Sequence, residues 1–237
     1  MAEQMRTAWY ERQGEPDEVL VVGQLERPRL EAGEVLVRVH ASGVNPSDTY
    51  GRRGSQAPMA FPRIIPHQDG AGVIEDIGQG VPRERIGERV WVYEATLNRP
   101  GGTAAEYTTV PAQRAVRLPE SVSFDAGACL GIPALTAHRA LFADGPVAGQ
   151  TVLVTGGAGA VGSAAIQLAK WAGAGTIIAT VSSDDKARVA REAGADHVVN
   201  YRTQDVAAEI RRITSEVDAG AGWGVDRIVD VDFGANL

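Results

Sequence analysis

Apolar positions along this chain follow two different rhythms. Over the first 120 residues they come in short runs, at 5–9, 19–22, 35–40, 72–77, 89–93 and 105–110. Turn residues such as Ala32-Gly33, Ile86-Gly87 and Pro100-Gly101-Gly102 separate them. Val35, Val37 and Val39 alternate with Leu36, Arg38 and His40, as in a strand with one better-buried face. Short strands joined by tight turns predict a small β-barrel or sandwich over 1–120.

The rhythm changes after Pro119. Residues 121–142 carry an apolar stretch at helical intervals, with Ser123 as N-cap and Pro133 as a kink or break. Strands and helices then alternate. Strands are predicted at 152–154, 176–181, 197–199 and 226–231, and helices at 163–171, 184–192 (closed by Gly194) and 205–217. That interval means right-handed βαβ units on a parallel sheet, so 121–237 reads as an α/β domain. A complete doubly wound sheet of this kind has about six strands in the order 3-2-1-4-5-6, so a sheet ending at its fourth strand is expected to be truncated.

The chemistry-bearing stretch is TVLVTGGAGAVG, residues 151–162. A short apolar strand runs into Gly156, Gly157, Gly159 and Gly162, and Ala160 and Val161 lead into the helix that follows. Glycines allow close approach of an anion to the free N–H groups of a helix start, where the dipole also favours negative charge. Strand, glycine turn and helix in that order indicate a dinucleotide pyrophosphate site.

Composition narrows the classes. There are 23 Lys plus Arg against 30 Asp plus Glu, a net charge of −7, with no long run of either sign, so neither nucleic acid nor an anionic membrane is indicated as main partner. Cys129 is the single cysteine, which excludes an internal disulfide and a cysteine-built zinc cluster. No stretch reads as a signal peptide or membrane span, and a soluble cytoplasmic protein is expected. No internal repeat is evident.

Several motifs together carry a family resemblance: SGVNPSDTY at 42–50, IPHQDGAGVIEDIG at 65–78, GIPALTAHRAL at 131–141 and the glycine turn. The chain resembles the medium-chain dehydrogenase/reductase superfamily, in particular its zinc-independent quinone oxidoreductase, or zeta-crystallin-like, branch. The resemblance implies a GroES-like β-barrel domain at 1–120 and a Rossmann-type NADPH-binding domain at 121–237. Zinc-dependent relatives have ligands where this chain has Asn45, Gln68 and Ile132, so no metal site is expected. His67 is one residue from a ligand position, and a one-residue offset on a strand points it elsewhere. Asp69 falls at an acidic position of those enzymes, as a supporting group or a turn cap. His40, His138 and His197 read as structural or surface residues.

An NAD-type ribose carboxylate is expected about 20 residues past the glycine turn. The chain has the neutral Ser182 and Ser183 there, with Lys186 and Tyr201 beyond. Similarity to the quinone oxidoreductases implies that these residues surround the 2′-phosphate of NADPH, a group suited to a cation and hydroxyl donors. It also implies Asn45 and Thr136 near the nicotinamide and Tyr50 in the substrate cleft. The expected activity is hydride transfer from NADPH to a quinone or related electron-poor carbonyl compound. Two alternatives stay open: reduction of an enone or 2-enoyl thioester, for which the proton-donating Tyr of sister branches is replaced by Gln56, and a non-catalytic, crystallin-like NADPH-binding role. Relatives of this branch imply a homodimer or homotetramer for a full-length form.

Overall fold

The computed structural model describes residues 3–217 and 224–231. The chain divides into two compact units, Met1–Ile132 and Pro133–Leu237.

The first unit is built on antiparallel pairing. Strands β1 (Gln4–Trp9) and β2 (Val21–Glu26) form a hairpin across a helical turn, α1 (Pro16–Val19). The strand expected at 19–22 therefore starts later: Pro16 at N1, followed by acidic Asp17 and Glu18, favours one turn of helix before it. Five further strands, β3 (Glu34–Gly43), β4 (Asp69–Ile77), β5 (Arg89–Val92), β6 (Tyr107–Pro111) and β7 (Ala115–Arg117), make one sheet in the order β6-β3-β4-β5-β7. Its two outer strands are consecutive in the chain, joined by a single 3₁₀ turn at Ala112–Arg114. Edges held that close force the sheet to curl, giving the barrel-like form expected of this region.

Val35, Val37, Val90, Val92 and Val110 are fully or almost fully buried inside the curl, with Ile74 and Ala115 beside them. Register shifts in the β3–β4 pair fall between Leu36 and Val37 and between Val39 and Ala41. Bulges bend a strand and re-aim its end. Here the re-aimed end leads through Gly43 to α2 (Pro46–Arg53), which Asn45 caps.

Residues 121–142 form two helices, α3 (Phe124–Gly127) and α4 (Gly131–Phe142). Ser123 caps α3, accepting a hydrogen bond from Ala126 N at 3.2 Å. Pro133 neither kinks nor breaks α4; it lies in the first turn, where its missing N–H would have no partner anyway.

The second unit is a parallel sheet. Strands β8 (Thr151–Val154), β9 (Thr176–Val181), β10 (His197–Asn200) and β11 (Arg227–Val229) lie in the order β10-β9-β8-β11, the 3-2-1-4 sequence expected. Helices α5 (Ala160–Trp171), α6 (Asp184–Ala193) and α7 (Val206–Val217) connect them. All six residues of β9 are buried, as an interior strand covered on both faces requires. Helix α5 begins at Ala160, three residues earlier than its apolar period suggested, so Ala160, Val161 and Gly162 form its first turn. Among the described residues no helix is long and apolar enough to cross a membrane.

Ile166 of α5 is fully buried against the sheet, in the cluster that holds Val152, Val154, Ile177 and Ala179. Ile166→Ala is expected to lower unfolding stability by about 2–5 kcal/mol. Urea denaturation measures this, and a loss under about 1 kcal/mol contradicts the packing described.

Candidate active site

In the second unit the predicted residues gather at the carboxyl ends of the parallel strands, where open α/β sheets bind ligands. The glycine turn leaves β8 with Gly156 at φ +61°, a conformation that L side chains rarely adopt. Gly156 N donates to Thr180 Oγ1 at 3.2 Å and Gly157 N to Thr180 O at 2.9 Å, which fastens the turn to β9. Gly159 is the N-cap of α5. A Cβ on Gly162 would lie 2.3 Å from Gly156 O, so only glycine lets the helix pack this tightly under the turn. The backbone around the helix start is thus left clear, a cradle suited to a pyrophosphate.

Ser182, Ser183 and Lys186 follow the end of β9. Ser183 caps α6, its Oγ accepting from Lys186 N, while Lys186 Nζ donates to Ser182 Oγ at 3.0 Å. The register Asn200↔Val181 and the bond from Tyr201 N to Val181 O (3.0 Å) bring Tyr201 beside Ser182. Tyr201 is half exposed. Ser182, Ser183, Lys186 and Tyr201 therefore lie close together past the carboxyl ends of β9 and β10.

Thr136 lies on α4 and is exposed; Asn45 and Tyr50 belong to the first unit. Asn45 is buried at the start of α2, where its backbone N–H donates to Asp48 Oδ2 at 2.8 Å. Its side-chain Nδ2 donates to Asp69 Oδ2 at 2.8 Å, and Ile132 N donates to the same oxygen at 2.7 Å. Asp69 is 1% exposed, and its Oδ1 has no hydrogen-bond partner among the described residues. Burial, opposed by the bonds from Ile132 and Asn45, pushes the Asp69 carboxyl up to about 6. Gly131 is required beside it, because a Cβ there would meet Asp69 Oδ1 at 2.1 Å. The neighbouring Asp48 is also raised by burial, against hydrogen bonds from the backbones of Asn45 and Gln68.

A cleft of about 300 Å³ opens beside this cluster, lined by Tyr10, Ser47, Asp48, Gln56, His67 and Gln68 among others. Gly51 of α2 lines it, whereas neither Asn45 nor Tyr50 does, and Tyr50 is 43% exposed. Sequence reasoning passed over His67 on the ground that an offset on a strand would turn it away. The strand begins only at Asp69, and His67 has φ +75°, so strand alternation does not govern where it points. Its Nδ1 lies 2.8 Å from Ser42 Oγ, which is 2.8 Å from Thr103 Oγ1. These partners are 25 and 61 residues apart in sequence, and only the unusual His before Gln68 and Asp69 hinted at them.

Comparison with known proteins agrees with this architecture. The family described as alcohol dehydrogenase GroES-like domain matches residues 31–120, and that described as zinc-binding dehydrogenase matches 160–231. The human protein named quinone oxidoreductase is 33% identical over 225 residues, 94% of this chain and 65% of its own length. The chain thus spans about two thirds of the length of such curated relatives, at 65%. A mycobacterial protein solved in complex with NADPH superposes with a TM-score of 0.73 at 32% identity, covering 92% of this chain and 64% of that one. A structure described as an NAD-dependent alcohol dehydrogenase gives a TM-score of 0.84 at 33% identity, covering 97% and 72%.

The zinc of the second family description does not fit the residues present. An amide already bonded to a carboxylate (Asn45), a second amide (Gln68) and an alkyl chain (Ile132) supply neither thiolate nor imidazole. Among the described residues no three His, Cys, Asp or Glu side chains gather to hold a metal ion. With a GroES-like first unit and a parallel nucleotide-type sheet in the second, the chain belongs to the medium-chain dehydrogenase/reductase superfamily and is similar to its quinone oxidoreductases.

Proposed function

We propose that this chain carries out zinc-independent, NADPH-dependent reduction of a quinone or a related electron-poor carbonyl compound. The observation that carries the reading is the edge formed by Ser182, Lys186 and Tyr201. It presents a cation and hydroxyl donors where an NAD-type site would present a carboxylate. The human quinone oxidoreductase and the NADPH-bound mycobacterial protein support the substrate class and the cofactor.

Bound NADPH supplies the hydride. In this reading the glycine turn from Gly156 to Gly162, with Ala160 and Val161, holds the pyrophosphate, and Ser182, Ser183, Lys186 and Tyr201 hold the 2′-phosphate. Asn45 and Thr136 face the nicotinamide end. Asn45 suits that role because its bond to Asp69 uses one of its two amide N–H donors and fixes how the side chain is turned. Tyr50, exposed on α2 next to Gly51 of the cleft, stacks on the part of a planar acceptor that extends out of the cleft. A quinone needs no metal ion, since its own carbonyl oxygens accept the incoming charge.

Three outcomes are expected. Fluorescence titration is expected to show tighter binding of NADPH than of NADH, with Lys186→Ala narrowing the ratio by about tenfold, the worth of a charge-assisted hydrogen bond. Equal affinities for the two cofactors in the unsubstituted protein would refute the 2′-phosphate assignment. Reduction of 1,4-benzoquinone is expected to survive chelation, and stoichiometric zinc by elemental analysis would overturn zinc independence.

The third outcome concerns pH. Because the Asp69 carboxyl is raised to about 6 in the folded chain, the folded state holds its proton more firmly than the unfolded one. Its contribution to stability therefore falls as pH rises from about 4 to 6 and is level above that. The melting temperature of the unsubstituted protein minus that of Asp69→Asn should fall across this window; a constant difference contradicts the assignment.

A further inference from the structure

We propose that His67 is the acid–base residue of the cleft in the first unit, exchanging a proton through Nε2 with the carbonyl oxygen of a bound acceptor. The proposal rests on the reductase reading for the source of hydride, and on the geometry of this unit for everything else.

The hydrogen-bond chain behind His67 has only one possible direction. Thr103 Oγ1 donates to Asp69 O, and a carbonyl oxygen can only accept. The single hydroxyl hydrogen of Thr103 is thereby used, so Ser42 Oγ must donate to Thr103 Oγ1. Ser42 has no second hydrogen, so His67 must donate to Ser42 through Nδ1–H. The neutral ring is thus fixed as the Nδ1–H tautomer with a bare lone pair on Nε2. Nε2 makes no hydrogen bond to any described residue, and His67 lines the cleft. A ring with one nitrogen tied to a hydrogen-bond relay and the other unbonded, on a residue that lines a small-molecule space, has the arrangement of a proton carrier.

The backbone supports the same reading. His67 sits at φ +75°, where most residues other than glycine are disfavoured, and the surroundings hold it there. Thr103 N donates to His67 O at 3.0 Å, Ala104 N to Pro66 O at 3.1 Å, and Ala95 N to Gln68 O at 3.0 Å. Gly102 lies so close that a Cβ would come within 2.5 Å of the carbonyl oxygens of Ile65, Pro66 and His67. The side chain is therefore aimed by a rigid strap.

Burial holds the His67 imidazolium below its ordinary range, which makes the charged ring a stronger acid. The groups facing it are Asp48 of α2, Tyr10 after β1 and Arg99 before β6, all on the cleft, with Asp69 of β4 behind the relay. In the reduction, the acceptor takes up a hydride with its two electrons, and the displaced electron pair collects on the carbonyl oxygen. That oxygen forms an O–H bond as the Nε2–H bond of the imidazolium breaks. The ring is left as the neutral Nδ1–H tautomer and regains its proton from water. One hydride and one proton complete the two-electron reduction. The role is one that Gln56, a neutral amide on the same cleft, cannot fill.

The test uses His67→Asn, since Asn tolerates the left-handed backbone, with Ser42→Ala as a second variant that keeps the ring but releases its tautomer. With NADPH and 1,4-benzoquinone, kcat/KM of the unsubstituted protein is expected to fall about tenfold per pH unit above the His67 pKa. Loss of a general acid lowers rates by about 10²- to 10⁴-fold, so His67→Asn should lose that much at low pH, along with the pH-dependent limb. Ser42→Ala should lose less. Asp69→Asn, tested because the Asp69 carboxyl is itself raised to about 6, should retain the limb.

A readout without cofactor accompanies this: the absorbance of bound 4-nitrophenol shows whether its oxygen carries the proton. It should shift toward phenolate in the unsubstituted protein and not in His67→Asn. Identical spectra, or an unchanged pH–rate profile in His67→Asn, would overturn the proposal. If benzoquinone is not reduced by any form while the nitrophenol spectrum still follows His67, the proton site stands and the quinone reading alone falls.

Discussion

One carboxylate oxygen holds the chemistry-bearing part of the first unit together. Asp69 Oδ2 accepts from the side chain at the start of α2 and from the backbone at the start of α4, two elements separated by most of the β-rich region. A buried carboxylate is costly unless its oxygens are bonded, and here two donors meet one oxygen while the other has none. Gly131 allows the approach, and burial of the incompletely bonded group is what raises its carboxyl to about 6. Asn45 is thus not a free amide on a loop. Its orientation is a consequence of the strand that carries Asp69.

The same strand has a second dependency at its entry. Ile65, Pro66 and His67, just before β4, are clamped by the 100–104 strap through backbone bonds and through the absence of a side chain on Gly102. Thr103 links the two arrangements: its hydroxyl bonds the carbonyl of Asp69 and receives the relay from Ser42 and His67. Polar side chains that are individually ordinary become informative when one of them is 1% exposed and the direction of every bond follows from its end point.

Much of this was legible in the chain. Alternation at Val35 and Val37 pointed to the curled antiparallel sheet, and strand–helix periodicity gave the parallel sheet with its 3-2-1-4 order. Ser123 and Gly194 marked helix ends because capping is local chemistry. Strand β7 escaped notice because three residues with one apolar side chain fully inside carry no period. Pro133 misled because its effect depends on where in the helix it falls. The relay through His67, Ser42, Thr103 and Asp69 joins residues that only the β3–β4 pairing and the strap bring together, so no window of sequence contains it. His67 was discounted on strand alternation, which a positive φ removes.

The pairing of β10 with β9 has a meaning beyond architecture. Tyr201 lies beside Ser182 because Asn200 is in register with Val181. That register is held by apolar packing of Val199 and Ile178 against Ile213 and Ile210 of α7. Slippage of a strand by one residue would turn every side chain on it to the opposite face. Discrimination between two cofactors that differ by a single phosphate would then rest on hydrophobic contacts behind the sheet as much as on the polar groups in front of it.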